Sequence, residues 1–200
     1  LLFVISKPPI YGGELNINFQ IKSVNEGLKL IKKFKKIKYV LKTRTDCRFY
    51  NPNSFLYLKN MIINFPIKKN NFLEKRILFS SVATCKFRVY GATDITQFAT
   101  VNDMINYWSV PYYEDGLSDL LTNSKKPVIK GTPILSEIYL FAHFIHRCQI
   151  NLDWSLKHWW GLLKEYFLVF DSHSLDFFWD KYDKNSEMRF LTTYSENYPR

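Results

Sequence analysis

Apolar positions along the chain recur with two spacings, one typical of strands and one typical of helices. Short apolar runs predict strands at residues 1–6, 38–43, 76–83 and 166–170. Helical spacing predicts helices over residues 18–34, 54–64, 101–108, 136–147 and 156–167. Because strands and helices alternate along the chain, the pattern favours an α/β layered fold.

The segment 109–133 interrupts this alternation. It has no clear periodicity and contains three prolines and two glycines. A stretch of this length without periodicity is typical of a functional loop, so we expect a flexible loop between the halves 1–108 and 134–200 of a single domain, 1–200. Residues 1–6 resemble a strand with nothing before it, and we expect a fragment that lacks the first strands.

The formal net charge of +10 favours anionic partners: nucleotides, phosphorylated carriers, an acidic membrane face or nucleic acid. Part of it lies in the run Lys32–Lys38, which a solvated helix end also explains. Three cysteines without a CxxC motif argue against a disulfide framework. No apolar run approaches the roughly 20 residues of a membrane span. We therefore expect a cytoplasmic protein whose membrane contact is peripheral, on the inner face.

The most polar strand end is the run TRTDCR at residues 43–48. In open α/β sheets, ligands bind beyond the carboxyl ends of the strands. The Asp46 carboxylate suits Mn²⁺ or Mg²⁺, which would bridge the oxygens of a diphosphate. Arg44 and Arg48 carry guanidinium groups that form bidentate hydrogen bonds with phosphate. A surface ion-pair cluster explains the same residues without any ligand.

Four blocks of the chain resemble, in the same order, the WavE family of lipopolysaccharide-synthesis proteins. The first is NINFQIKSVNEGLKLIKKFKKIKYVLKTRTDCR, a helix leading into a strand that ends in a Lys/Arg-Thr-Asp motif. This layout is similar to that of GT-A glycosyltransferases. The other blocks are RILFSSVATCKFRVYGATDITQFATVNDMINYW, SEIYLFAHFI and FDSHSLDFFWDKY.

The resemblance implies a fold class and an activity. The fold is a GT-A-like (Rossmann-like) mixed sheet flanked by helices. The activity is that of a glycosyltransferase, which moves a sugar from a nucleotide-sugar donor to a growing surface polysaccharide or lipopolysaccharide. Its partners would be that donor and a saccharide or lipid-linked saccharide acceptor, with Mn²⁺ or Mg²⁺ assisting and no nucleic acid.

The resemblance also implies roles for particular residues. Asp46 would be the metal-binding carboxylate. The nucleotide-sugar would be bound by Asn16, Asn18, Gln20, Arg44, Thr45 and Arg48. Two departures from the family pattern bear on these roles: the triplet at residues 46–48 has one acid where the usual GT-A motif has two, and Phe19 stands where arginine is expected.

An inverting transferase needs a carboxylate that deprotonates the acceptor hydroxyl. Glu137 is our first candidate, because it begins a predicted helix directly after the segment 109–133 and matches a family block. A favourable interaction with the helix N-terminus is its structural alternative. Asp94, in a predicted loop after Gly91, either holds the sugar or acts as the base, unless it only caps a turn. His173 would replace the missing second metal-binding acid, unless it is bonded within its own loop.

Aromatic side chains and net charge leave further hypotheses open. Trp108, Tyr112 and Tyr113 border the segment 109–133 and are candidates for stacking against the acceptor sugar. A basic, aromatic-rich module that binds single-stranded nucleic acid is a second hypothesis, which acidic residues at the ends of predicted elements oppose. A catalytically degenerate transferase, kept as a scaffold for polysaccharide assembly, is the third.

Overall fold

A computed structural model describes residues 2–68, 70–114 and 135–179. The helices are a 3₁₀ turn Glu14–Asn16, α1 Ile17–Ile31, α2 Ser54–Asn64, α3 Val101–Trp108, α4 Ser136–Arg147, α5 Leu156–Tyr166 and a second 3₁₀ turn His173–Leu175. The strands are β1 Tyr39–Lys42, β2 Cys47–Phe49, β3 Ile77–Ser80, β4 Gln97–Thr100, β5 Phe167–Phe170 and β6 Phe177–Trp179.

Four of the strands form one mixed sheet in the order β1-β4-β3-β5. β4 is antiparallel to both of its neighbours, whereas β3 and β5 are parallel. As a result β1, β3 and β5 all end at the edge where β4 begins, and we call this the Lys42 edge. The remaining strands, β2 and β6, form a separate antiparallel pair that joins Cys47 to Trp179.

Helices cover both faces of the sheet, and β3 is buried between them. On one face, the centre of the fully buried Phe79 ring lies 5.6 Å from the centre of the Tyr107 ring on α3 and 5.4 Å from that of the Phe167 ring on β5. On the other face, Leu78 packs in a cluster with residues of α2. A strand buried on both faces is a continuous apolar run rather than an alternating one, which is why the sequence pattern identifies β3. The predicted α/β class is therefore confirmed as a mixed sheet flanked by helices.

Asp103 fixes the start of α3 immediately after β4. Its carboxylate accepts hydrogen bonds from the backbone N–H groups of Glu74 and Lys75 at 2.8 and 3.0 Å, and from the Thr100 hydroxyl at 2.7 Å. The Thr100 hydroxyl in turn accepts from the Asp103 N–H as the helix cap. These bonds compensate for burying the carboxylate and let the strand turn directly into the helix.

Two sequence predictions differ from the structure, and most of a third lies outside the described residues. Residues 2–6 form no strand and their side chains are largely exposed. None of the strands in the described residues pairs with this run, and Pro8 and Pro9, which follow it, lack donor N–H groups. The polar run TRTDCR leads into the strand β2, and the block FDSHSLDFFWDKY contains the strand β6. Both strands are three residues long, which is too short to show an apolar periodicity in the sequence. Of the predicted loop 109–133, residues 115–133 lie outside the described residues.

Candidate functional site

Hydroxyl groups fix the loops that meet at the Lys42 edge. The Ser81 hydroxyl bonds to the Ser172 hydroxyl at 3.1 Å and accepts from the Ser172 N–H, which joins the loops after β3 and β5. The Thr84 hydroxyl donates to the Ser80 carbonyl at 2.6 Å and accepts from the Thr93 N–H. The two Thr84 bonds close the loop between β3 and β4. Asp94, which directly follows Thr93, is thereby held at the Lys42 edge.

The two predicted catalytic carboxylates, Glu137 and Asp94, lie close enough to influence each other. Glu137 is half-buried in the first turn of α4, and Asp94 is 8% exposed. Burial raises the pKa of Glu137, the charge of Asp94 raises it further, and Arg88 opposes both effects. Burial places the pKa of Tyr107 well above its ordinary value, and the charges of Asp94 and Glu137 add to that shift. A carboxylate with a raised pKa is the usual form of a general base.

The Tyr107 hydroxyl lies within this arrangement. It is fully buried, and no group in the described part of the chain forms a well-aligned hydrogen bond with it. The Gln97 side chain lies near enough to lower its pKa, against the larger effect of burial. Buried polar atoms without a hydrogen-bond partner are uncommon in proteins, and a catalytic role is one of the explanations for those that occur.

Lys42 is a site residue that the sequence reasoning missed. Its ammonium group donates to the carbonyl oxygens of Asp94 and Ile95 and lies 5.2 Å from the centre of the Trp108 ring. Burial lowers the pKa of Lys42, while the charge of Asp94 raises it. The sequence feature that could have identified Lys42 is its place as the last residue of an otherwise apolar strand. Side chains at strand ends are the ones that reach a site at the edge of a sheet.

Trp108 does not stack against an acceptor as predicted. Its ring is fully buried, and its indole N–H donates to the Gln97 side-chain oxygen at 2.7 Å. The Gln97 amide then donates to the Thr93 carbonyl at 2.9 Å. The prediction is wrong because Trp108 is the last residue of α3 and faces the core. Tyr112 is 44% exposed and keeps the stacking prediction.

Arg44, Asp46 and Trp179 form a compact cluster beyond β1. The guanidinium Nε and Nη2 atoms donate to the two Asp46 carboxylate oxygens, both at 2.9 Å. The Trp179 indole N–H donates to one of the same oxygens at 3.0 Å, and the guanidinium lies 5.6 Å from the ring centre. The Arg44 hydrogen bond lowers the pKa of Asp46 strongly. Asp46 therefore stays ionised as the anchor of Arg44.

The predicted metal site does not have a good ligand set. Both Asp46 oxygens already accept hydrogen bonds from Arg44, and one of them also accepts from Trp179. His173 is exposed in the second 3₁₀ turn. Over residues 2–68, 70–114 and 135–179, no three His, Cys, Asp or Glu side chains are grouped so that they could hold a metal ion. A divalent cation at Asp46 would compete with Arg44 and Trp179 for the carboxylate oxygens.

The asparagines predicted to bind the nucleotide-sugar lie at the start of α1. Asn18 is buried, and its amide group donates to the Tyr113 carbonyl at 2.8 Å and accepts from the Tyr113 N–H at 2.7 Å. It also donates to the Tyr11 carbonyl. These bonds give Asn18 a clamping role between two backbone segments. Asn16 is exposed at the N-cap position of α1 in a left-handed conformation.

The other predicted nucleotide-binding residues have different surroundings. Gln20 lines a cavity of about 320 Å³ with Pro8 and Pro9. Thr45 is exposed, and the exposed Arg48 donates to the carbonyls of Thr45 and Cys47, which stabilises the turn before β2. Of the predicted nucleotide-binding residues, Arg44 is close enough to Lys42 for its charge to lower the pKa of Lys42, which connects Arg44 to the Lys42 edge.

The basic run Lys32–Lys38 lies away from this site. Lys32, Lys35 and Lys38 line a cavity of about 420 Å³ that also includes Thr100 and Asn102. This cavity lies at the start of β1 and the end of β4, which is the edge of the sheet opposite the Lys42 edge. Within the described residues, none of the helices combines the length and apolar character that crossing a bilayer requires.

Glu137→Gln is expected to make the folded protein more stable at neutral pH. The pKa of Glu137 in the folded protein lies above its ordinary value of 4.5. Below pH 4.5 the Glu137 side chain therefore contributes its full stabilisation, and this stabilisation is lost as pH rises through the folded-state pKa. Glutamine does not ionise and avoids this loss. Urea unfolding should give the variant a higher free energy of unfolding than wild type at pH 7 and a smaller difference at pH 4. Glu165→Gln, at an exposed glutamate on α5, is the matched control. An equal difference at both pH values would contradict the burial of the charge.

Comparison with known proteins gives one positive result. The family model described as WavE lipopolysaccharide synthesis matches residues 10–165, a range that contains Lys42, Asp94 and Glu137. No curated protein and no solved structure matches the chain, so the GT-A-like refinement of the fold stays a prediction. The match ends before β5 and β6, although both strands contribute to the fold around the site.

Proposed function

We propose that this chain, which belongs to the WavE lipopolysaccharide synthesis family, acts there as a glycosyltransferase that uses a nucleotide-sugar donor. The observation that carries the proposal is that Lys42 at the end of β1 donates a hydrogen bond to the Asp94 carbonyl, while the charge of Asp94 acts on the half-buried Glu137. General-base catalysis and the binding of an anionic leaving group both require charged side chains at one place. Here two carboxylates and the cations Lys42 and Arg44 supply those charges.

The proposed step is a displacement at the anomeric carbon of the donor sugar. The acceptor hydroxyl oxygen forms a bond to that carbon while the bond from the carbon to the diphosphate oxygen breaks. The electron pair of the broken bond leaves with the nucleoside diphosphate. The proton of the acceptor hydroxyl passes to the Glu137 carboxylate, whose raised pKa makes it a stronger base than an ordinary glutamate.

Asp94 has a different role in this proposal. Its charge raises the pKa of Glu137, and its backbone carbonyl accepts a hydrogen bond from Lys42. Asp94 therefore connects the base to the cationic side of the site. The acceptor is a saccharide or a lipid-linked saccharide, for which the exposed Tyr112 ring offers a stacking surface.

The test is a donor panel with the full-length protein. Uridine, guanosine, cytidine and adenosine diphosphate sugars are each incubated with Mn²⁺, with Mg²⁺ and with chelator, and the release of nucleoside diphosphate is measured. Turnover of one donor, lost in Glu137→Gln but kept in Glu165→Gln, is the expected result. No turnover with any donor would favour the degenerate scaffold. Binding to single-stranded oligonucleotides with a steep salt dependence would favour the nucleic-acid module instead.

A further inference from the structure

We propose that Lys42 and Arg44 bind the donor diphosphate in place of a divalent cation, with Asp46 and Trp179 as positioning residues for Arg44. This inference rests on the proposed function and specifies how that site handles its leaving group. It assigns Asp46 a role other than metal binding. It also gives a function to Lys42, whose position the sequence pattern did not identify.

Asp46 uses most of its acceptor capacity on donors of the protein. A carboxylate has about four lone-pair acceptor sites, and the two prongs of a guanidinium and an indole N–H take three of them. The three bonds measure 2.9, 2.9 and 3.0 Å. What this geometry achieves is a fixed orientation for Arg44, whose Nη1 atom is not used by these bonds.

Lys42 and Arg44 each have N–H donors that the hydrogen bonds described above do not use. A lysine ammonium has three N–H donors, and Lys42 uses two of them on the carbonyls of Asp94 and Ile95. An arginine guanidinium has five, and Arg44 uses its Nε and Nη2 atoms on Asp46. Each cation therefore keeps donor capacity for phosphate oxygens, and an arginine that a carboxylate already orients loses less freedom on binding.

Lys42 and Arg44 also act on each other through their charges. They are two residues apart at the end of β1, so their Cα atoms lie within about 7 Å of each other. Burial disfavours the charged form of Lys42 most, Arg44 adds to that effect, and the charges of Asp94 and Asp46 oppose it. An anion bound between Lys42 and Arg44 would favour the charged forms of both. A diphosphate has the charge and the length to contact both.

The experiment measures the binding of nucleoside diphosphates to the full-length protein. Uridine, guanosine, cytidine and adenosine diphosphate are titrated in metal-free buffer with EDTA and again with Mg²⁺ or Mn²⁺, by calorimetry. The variants are Lys42→Met and Arg44→Gln. Lys38→Met, a lysine just before the other end of β1, is the matched control. Arg44 is 41% exposed, so the Arg44→Gln protein is expected to fold even where Lys42→Met does not.

We expect one diphosphate to bind wild type with EDTA about as tightly as with metal. Arg44→Gln and Lys42→Met should each weaken binding about 10- to 100-fold, the usual effect of removing one charge-assisted hydrogen bond. Arg44→Lys should recover part of the loss, because it keeps the charge without the two-pronged bond to Asp46. Lys38→Met should bind like wild type.

Three results would overturn the inference: binding that EDTA abolishes and Mn²⁺ or Mg²⁺ restores, wild-type affinity in Arg44→Gln, or no binding of any nucleoside diphosphate. These outcomes separate the inference from the proposed function. Metal-dependent sugar transfer would refute the inference and keep the transferase. Diphosphate binding that is insensitive to EDTA, without turnover of any donor, would keep the inference and refute the transferase.

Discussion

Glu137→Gln is expected to lower kcat for sugar transfer by about 10²- to 10⁴-fold, the usual contribution of a positioned general base. Glutamine has nearly the same shape but does not accept a proton, so the KM for the donor should change little. Steady-state kinetics at saturating donor and acceptor would measure the effect. Glu165→Gln, on the exposed face of α5, should keep the wild-type kcat. A folded Glu137→Gln protein with unchanged kcat would exclude Glu137 as the base.

The pH dependence gives a second readout of the same base. In wild type, kcat/KM should fall as pH decreases through the raised pKa of Glu137, because the protonated acid cannot accept the acceptor proton. Asp94→Asn removes a charge that raises this pKa. The acidic limb of the profile should therefore move to lower pH in Asp94→Asn. A purely structural role of Asp94 would lower the rate at every pH and leave the limb where it is.

Phe79→Ala is expected to reduce the free energy of unfolding by about 3–5 kcal/mol, the usual cost of removing a buried phenylalanine ring. Phe79 is fully buried on β3, with ring contacts to Tyr107, Phe141 and Phe167. Phe141 belongs to α4, the helix that also carries Glu137, the proposed base. The cavity would therefore loosen the packing of α4, and sugar transfer should fall together with stability.

Urea unfolding followed by circular dichroism would measure this effect as a lower midpoint at an unchanged slope. Phe3→Ala is the matched control, since the Phe3 side chain is 80% exposed, and its effect should stay within about 0.5 kcal/mol. A loss of less than about 1 kcal/mol in Phe79→Ala would mean that the neighbouring rings close the cavity.

Local patterns predicted the elements whose structure depends mainly on neighbouring residues. Helices α2 and α3 have the predicted bounds, and β1 and β3 lie within predicted apolar runs. The apolar run at residues 2–6 failed because a strand also requires a partner, which no local pattern reveals. The pairing of β2 with β6 was not predicted for the same reason, since Cys47 and Trp179 meet from distant parts of the chain.

The site was predictable in its parts but not in its arrangement. The resemblance and the loop positions suggested Glu137 and Asp94, but only the packing of α4 against the sheet brings the two near each other. Lys42 was missed because a lysine in a strand resembles an exposed residue until the neighbouring loop covers it. Asn18 was expected to bind a ligand, whereas its amide is engaged with the backbone of Tyr113 and Tyr11.

The parallel pairing of β3 with β5 also bears on how the chain is made. Ile77 pairs with Phe167, so β3 is translated ninety residues before its partner (167 − 77 = 90). At about 5–20 residues per second, the ribosome needs roughly 5–20 seconds to supply it. During that interval the nascent chain carries an apolar strand with one edge unpaired, and such edges associate with other chains. We therefore expect the yield of folded protein to depend on chaperone access during synthesis as well as on the stability of the finished sheet.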